Sequence, residues 1–247
     1  MKVSVISDIH VHPNDDKGLE ILRKFCADSR VLDSDYVIFL GDIFDLLAYE
    51  KHEFLTIYGE AFDLIEKLSL SAKNVIFVEG NHDFLFRKVL EKSGKSIFSR
   101  YCTSGFQILN ENQNYIFCHG DLVEIDNYGY QIYRSLIRSR LFRNLFEYVI
   151  PFTFIWNFGN RLLKKSAARH YEYRKKDYQE KIKLKFRKSA DIFFRKNDLT
   201  NALLVCGHSH VKDLYRNGEN VYINNGFAQF EGTFLYIEKE NFSFKEL

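Results

Sequence analysis

The run Tyr36-Val37-Ile38-Phe39-Leu40 ends in Gly41-Asp42-Ile43-Phe44-Asp45, and this junction constrains the chain more than any other stretch. A short continuous apolar run closed by a turn signal reads as a strand buried on both faces. A carboxylate just past its carboxyl end stands where open α/β sheets place their chemistry. The pattern recurs. Asp8-Ile9-His10, Gly80-Asn81-His82-Asp83, His119-Gly120-Asp121 and Gly207-His208-Ser209-His210 each follow a comparable apolar run. Asp or Asn beside Gly is an ordinary turn former, and a single His near a strand end is usually structural. Independent turns have no reason to produce five such junctions, so the chain is expected to gather its strand ends at one polar site.

Between these junctions the periodicity predicts strands over 2–7, 36–40 and 74–78, with helices over 17–27, 52–70 and 84–91. That alternation implies a parallel sheet covered by helices, with right-handed crossovers. Beyond Gly94 the rhythm changes. Short strands are expected over 100–103, 107–109 and 115–118, the last two joined by a hairpin turn over 110–114. A helical block over about 127–196 follows, and strands return over 202–206, 213–215, 221–223 and 233–237, with Asn217-Gly218 as a hairpin turn. The expected arrangement is two sheets, one partly parallel and one mostly antiparallel, with a helical insertion. No repeat, low-complexity stretch or Pro/Gly/Ser-rich linker divides the 247 residues, so a single domain over 1–247 with the insertion docked on it is expected.

Composition matters here chiefly through its distribution. A hydrophobic fraction of 46% with 16% aromatics excludes a disordered chain. Between Gln131 and Lys196 there are 18 Lys/Arg against 5 Asp/Glu, a local +13 in a chain whose net charge is +2. The basic charge is therefore segregated into the helical block. Cys26, Cys102, Cys118 and Cys206 are widely spaced with no CxxC pair, which suits reduced thiols of a cytosolic protein and no zinc ribbon. The chain enters its first strand at once, leaving no room for a signal peptide. Its longest apolar stretch, 145–158, is too short for a membrane span and is interrupted by Glu147, Pro151 and Asn157, although it suits a membrane surface.

Collected from the junctions, the candidate metal ligands are Asp8, His10, Asp42, Asn81, His119, His208 and His210. They offer imidazole nitrogens, carboxylates and one amide oxygen, with no thiolate, a set that suits Mn²⁺, Fe or Zn²⁺ better than Ca²⁺ or Mg²⁺. Seven ligands exceed what one ion takes and match two ions that share a carboxylate. Such a pair, about 3.5–4 Å apart, can clamp a phosphate and activate a water. His12, His52 and His170 fall outside the pattern and read as surface or structural residues.

The ordered series DxH, GDxxD, GNHD, HGD and GHxH resembles the calcineurin-like metallophosphoesterase superfamily over nearly the whole chain. The resemblance implies a four-layer αββα sandwich of two mixed sheets and a dinuclear site. Asp8, His10, Asp42 and His210 would hold one ion, and Asp42, Asn81, His119 and His208 the other, with Asp42 bridging. His82 would stabilise the transition state or protonate the leaving oxygen, oriented by Asp45. A cationic donor beside a carboxylate and next to a metal ligand is suited to that task.

The stretch from His119-Gly120-Asp121 through Asp126 to Tyr130-Gln131, Arg134 and Arg138, followed by the basic aromatic block, resembles the UDP-2,3-diacylglucosamine hydrolases of lipid A synthesis. Phe84, after GNHD, also matches. This resemblance implies hydrolysis of a diphosphate to UMP and 2,3-diacylglucosamine 1-phosphate with two divalent ions, Mn²⁺ by preference. Asp126, Tyr130, Gln131, Arg134 and Arg138 would contact substrate, and 127–196 would form a helical lid. It also implies an acylated UDP-sugar as partner, peripheral attachment to the cytoplasmic side of the inner membrane, and no nucleic acid. The insertion has matching chemistry: Arg and Lys for a diphosphate, and Trp156 with four Phe over 145–158 for acyl chains or a lipid surface. The best-known members of that group carry Arg where this chain has His82, and an Asp pair where it has Asp126-Asn127. The complete GNHD motif equally suits another calcineurin-like phosphodiesterase or phosphatase that acts on a nucleotide or other soluble phosphoester.

Overall fold

The computed structural model describes residues 1–95, 97–110, 113–167 and 175–247. Six strands form one sheet in the order Asn241–Glu246, Thr233–Glu238, Lys2–Ile6, Tyr36–Leu40, Val75–Val78, Arg100–Cys102. The last four run parallel, and the C-terminal pair is antiparallel. Five strands form the other sheet, in the order Asp213–Asn217, Asn220–Asn224, Ala202–Cys206, Asn114–Phe117, Phe106–Leu109.

Period-2 alternation distributes the strand side chains between separate cores. Val3, Val5, Ile38, Leu40, Ile76 and Val78 of the first sheet face Phe117, Leu203, Val205, Val221 and Ile223 of the second across the sheet–sheet interface. The intervening Val37, Phe39, Val75 and Phe77 point the other way, into a core closed by Ile21, Leu22 and Phe25 of helix Asp16–Ala27 and Phe62, Ile65 and Leu68 of helix Gly59–Ser71. Phe39 is fully buried, and burying a side chain of that size contributes roughly 1.5–3 kcal/mol. On the far side, Ala202, Leu204 and Cys206 meet Phe186, Ala190 and Phe194 of helix Lys176–Lys196. The result is four layers: helices, sheet, sheet, helix. Within the 127–196 segment, this last helix thus closes the outer face of the second sheet, and its apolar stripe is hidden in the sequence by the Lys and Arg around it.

Several boundaries differ from the sequence reading for identifiable reasons. The second sheet is mixed: Ala202–Cys206 runs parallel to both neighbours because the chain leaves and re-enters the sheet through the helical block. The helix expected over 52–70 is two helices, Glu53–Ile57 and Gly59–Ser71, broken at Tyr58, whose hydroxyl is engaged with both the carbonyl and the amide of Leu46. The helix expected from 84 starts at Arg87, because Asp83–Phe84 pairs with Leu47–Ala48 and Leu85 turns left-handed (φ 57°). Asn241–Glu246 was not anticipated as a strand, being half-exposed at the sheet edge. The Asn217-Gly218 turn joins Asp213–Asn217 to Asn220–Asn224, with Gly218 at φ 60°. Of the expected 110–114 turn, residues 111–112 lie outside the described residues, as do His170 and the rest of 168–174 in the basic helical block.

Candidate metal centre

The loops that follow Ile6, Leu40, Val78, Phe117 and Cys206 meet at one edge of the two sheets, and hydrogen bonds carry the strand ladders into them. Asp8 N donates to Gly41 O (3.1 Å), His10 N to Asp42 O (3.0 Å) and Gly207 N to His119 O (2.8 Å). Asp8, His10, Asp42, His208 and His210 all have left-handed backbone, with φ between 52° and 65°. Non-glycine residues rarely adopt this conformation, and its cost is sustained only where surrounding structure over-determines it. The glycines of the junctions have a steric reason: a Cβ on Gly80 would overlap Asp42, and one on Gly207 would overlap Asp8.

The seven candidate ligands come together. Donor atoms of Asp8, His10, Asp42 and His210 lie within 4.8 Å of one another, as do those of Asp42, His119 and His208. Asn81 Oδ1 is 3.0 Å from His119 Nε2 and 2.8 Å from His208 Nδ1. Asp42 belongs to both groups, in the place that a shared ligand requires.

Whether a cation fits is decided by the protons. His119 Nδ1 donates to Leu40 O (3.0 Å), which leaves Nε2 with its lone pair turned toward Asn81 Oδ1 and Asp42 Oδ2 (3.3 Å). Asp45 Oδ1 accepts from His10 Nδ1 (2.8 Å), so His10 Nε2 likewise presents a lone pair, 3.3 Å from His210 Nε2 and 3.8 Å from Asp42 Oδ2. Acceptors facing acceptors repel unless a proton or metal ion lies among them. The donor set therefore fits divalent metal, with the outward ring nitrogens tied down as metal-bound imidazoles require.

Electrostatics point the same way. Burial opposes charge on His119, but Asp42, Asp8 and Asp121 outweigh it and hold the imidazole well above its usual range. Burial likewise disfavours ionised Asp42, but His119, His82 and His10 hold it well below the carboxylate range. His10, though depressed by burial, is pushed up to about 9 by the Asp45 hydrogen bond and by Asp42, Asp45 and Asp8. His210 is lowered by burial, only partly offset by Asp8 at 3.3 Å.

His82 lies beside the cluster, half-buried, with Nε2 4.0 Å from Asp42 Oδ2 and its ring edge-on to His10. Its Nδ1 contacts the Asp45 carbonyl (2.8 Å). The resemblance has Asp45 orienting His82, and both the carbonyl and the carboxylate of Asp45 lie near it. In the structure the Asp45 carboxylate takes His10 and its carbonyl takes His82, because the loop turns the side chain toward the first junction.

The segment after His119 docks the insertion. Asp121, buried, accepts from Tyr130 Oη (2.7 Å) and Arg134 Nε (2.9 Å), while Arg134 Nη2 reaches Thr103 O. Arg138 pairs with buried Glu79, donates to Gly80 O and lies over the Phe84 ring. Gln131 lines a shallow groove with Tyr128, Ile132, Ser135 and Leu136. Asp126 is exposed at φ 61°. Among the residues read as substrate contacts, Tyr130, Arg134 and Arg138 therefore have donors engaged with the protein's own carboxylates and carbonyls. His12 stacks on Trp156 and belongs to none of the ligand groups.

The sequence reading gives no role to four carboxylates in or near the junctions: Asp83 and Asp121 within them, and Glu79 and Glu124 outside them. Asp83 accepts backbone bonds from Asp42, Ile43, Phe44 and Gly80 at 2.6–3.2 Å, so it shapes the turn that carries Asp42. Burial and the Asp42 charge push it up to about 7, against those donors. The signal available was adjacency: each of these carboxylates lies within a junction or within three residues of one.

A family model described as calcineurin-like phosphoesterase matches residues 1–212. The UDP-2,3-diacylglucosamine hydrolase of Histophilus somni is 24% identical over 226 residues, covering 87% of each chain. That of Blochmanniella pennsylvanica is 23% identical over 256 residues, covering 98% of this chain and 94% of the other. That of Neisseria gonorrhoeae is 29% identical over 142 residues, and the match spans only 57% of each. A solved structure titled as a novel archaeal phosphodiesterase shares the fold across 100% of both chains, at a TM-score of 0.50 and 14% identity. The family match runs through all five junctions that the fold draws into one cluster, and the chain belongs to the calcineurin-like phosphoesterase family.

Proposed function

We propose that this metal-dependent phosphoester hydrolase cleaves the diphosphate of UDP-2,3-diacylglucosamine, releasing UMP and 2,3-diacylglucosamine 1-phosphate. The observation that carries the reading is the row of exposed apolar side chains on the insertion, whose first helix is tied to the ligand loops. Tyr128, Ile132, Leu141, Tyr148, Val149, Phe154 and Phe158 are all more than half exposed. The helix Tyr128–Ile137 at the start of this surface is moored to Asp121 and Glu79, next to His119 and Asn81. An exposed apolar patch of this kind marks an interaction surface, and on an insertion tied to a phosphoester site it suits acyl chains. Relatives named for this reaction, aligned over most of their length, support the same choice.

In this reading Asp8, His10, Asp42 and His210 hold one ion, and Asp42, Asn81, His119 and His208 the other, with Mn²⁺ as the ion. Bound divalent ions supply charge stabilisation at the phosphoryl oxygens and a water acidic enough to attack near neutral pH. Asp45 keeps His10 in the tautomer that presents Nε2, and the Leu40 carbonyl does the same for His119. His82, whose Nδ1–H donates to the Asp45 carbonyl, directs Nε2 toward the side of Asp42 and, as the imidazolium, gives its Nε2 proton to the leaving oxygen, leaving a neutral ring. The exposed apolar face and the basic residues around it rest on the membrane that carries the substrate. No helix among the described residues is long and apolar enough to cross a membrane.

The test is mass-spectrometric detection of UMP from UDP-2,3-diacylglucosamine with Mn²⁺ present. Absence of UMP, with turnover of soluble nucleotide phosphodiesters instead, would replace this reading with that of a soluble-ester phosphodiesterase.

A further inference from the structure

Glu124 belongs to none of the five junctions, yet it is where the insertion and the cluster are joined. Its Oε2 is 3.3 Å from His208 Nε2 and accepts from Asn127 Nδ2 at 2.6 Å; its Oε1 pairs with Lys185. Asn127 immediately precedes the first inserted helix, Tyr128–Ile137, and Lys185 lies on the last, Lys176–Lys196. One half-buried carboxylate thus touches a candidate ligand and both ends of the insertion.

The geometry points to Glu124 as the positioning residue for His208: by accepting the Nε2 proton it fixes the tautomer in which Nδ1 faces Asn81. A carboxylate acceptor holds the proton on Nε2, so Nδ1, 2.8 Å from the Asn81 Oδ1 acceptor, is the nitrogen turned toward a cation or, without one, a second proton. Second partners of this kind orient ligating imidazoles, and removing one commonly weakens metal binding 10–100-fold. The mooring to Asn127 and Lys185 aims the carboxylate, so displacement of the inserted helices would reach His208 through a single side chain.

This inference rests on the two-ion reading above, and its test separates the two. Mn²⁺ is titrated calorimetrically into metal-stripped full-length protein, as wild type, Glu124→Ala, Glu124→Gln and Lys185→Met. The expected result is two binding steps in wild type. In Glu124→Ala one step should be weakened about 10–100-fold and the other unchanged, with Glu124→Gln, which keeps an acceptor, in between. Lys185→Met, which removes one of the two moorings but spares the carboxylate and Asn127, should weaken the same step less than Glu124→Ala does. Unchanged steps in Glu124→Ala, equal weakening of both, or equal weakening by Lys185→Met would overturn the assignment. Nitrogen-15 shifts of His208 in the metal-free protein give an independent readout: Nε2 protonated in wild type and in Glu124→Gln, with that preference lost in Glu124→Ala. If wild type binds no Mn²⁺, the metal reading fails, while the tautomer still decides the role of Glu124 by itself. If Glu124→Ala does not fold, Glu124→Gln and the wild-type tautomer decide it.

Discussion

Gly80→Ala adds a single methyl group at a place where the structure has no room. A Cβ at residue 80 would lie under 3.0 Å from Asp42 Oδ1, Asp42 N and Asp83 Oδ1. Ordinary non-bonded contacts lie near 3.5–4 Å, so the Asp42 carboxylate or the Gly80 backbone must retreat by about 1 Å. Neither moves easily. Asp42 N is bonded to Asp83 Oδ1 and its Oδ1 accepts from His82 N, while Gly80 N is itself bonded to Asp83. Overpacking of this kind destabilises by roughly 1–3 kcal/mol, about 2–4 °C of melting temperature per kcal/mol for a chain of this size. The larger effect should fall on function, since a misplacement of about 1 Å at a reacting centre can cost roughly 100-fold in rate. The variant should melt several degrees lower, hold less metal by inductively coupled plasma mass spectrometry, and lose about two orders of magnitude in kcat. Wild-type metal content and turnover in a folded Gly80→Ala protein would refute the placement of Asp42 as a shared ligand pressed against this glycine.

His82→Ala should lower kcat by roughly 10²–10⁴ while leaving Mn²⁺ stoichiometry intact; loss of metal instead would make His82 a ligand or a structural prop. For metal-free protein, His10 ties stability to pH. Its pKa, about 9 folded against an ordinary 6.5, is raised on folding. Its contribution is therefore fully present below about pH 6.5 and lost as pH rises through about 9, up to about 3 kcal/mol in all. Asp45→Asn removes the hydrogen-bonded charge that is the first of the groups raising that pKa, ahead of Asp42 and Asp8. Urea unfolding of chelator-treated protein at pH 6 and pH 9.5 should show a smaller difference in the variant than in wild type, and equal differences would sink the assignment.

The layers of the fold were legible because the strands alternate inward and outward residues with few exceptions. Val37 and Phe39 against Ile38 and Leu40 announce a strand buried on both faces. The ligand set was legible because glycine, histidine and carboxylate recur at the ends of such strands. What stayed hidden depends on partners distant in sequence. Nothing local to Tyr58 shows that Leu46 will break its helix, nor that Asp45 will hold His10 across 35 residues. Arg134 and Arg138 read as charges reaching for a phosphate because Asp121 and Glu79, which engage them, are ordinary acids until the fold buries them.

The hydrogen bonds that continue the sheet ladders into the ligand loops have a consequence for motion. Amide protons of Asp8, His10, Val11 and Gly207 are shared with neighbouring loops or strand ends, so these loops open only with the sheets themselves, at a free energy near that of global unfolding. The inserted helices Tyr128–Ile137 and Arg140–Asn144 contain no buried residue and belong to the low-stability end of the same molecule. Slow hydrogen exchange at the ligand loops and fast exchange at those helices divide the protein into a part that holds still and a part that adapts. Accommodation of a bulky substrate falls to the second part.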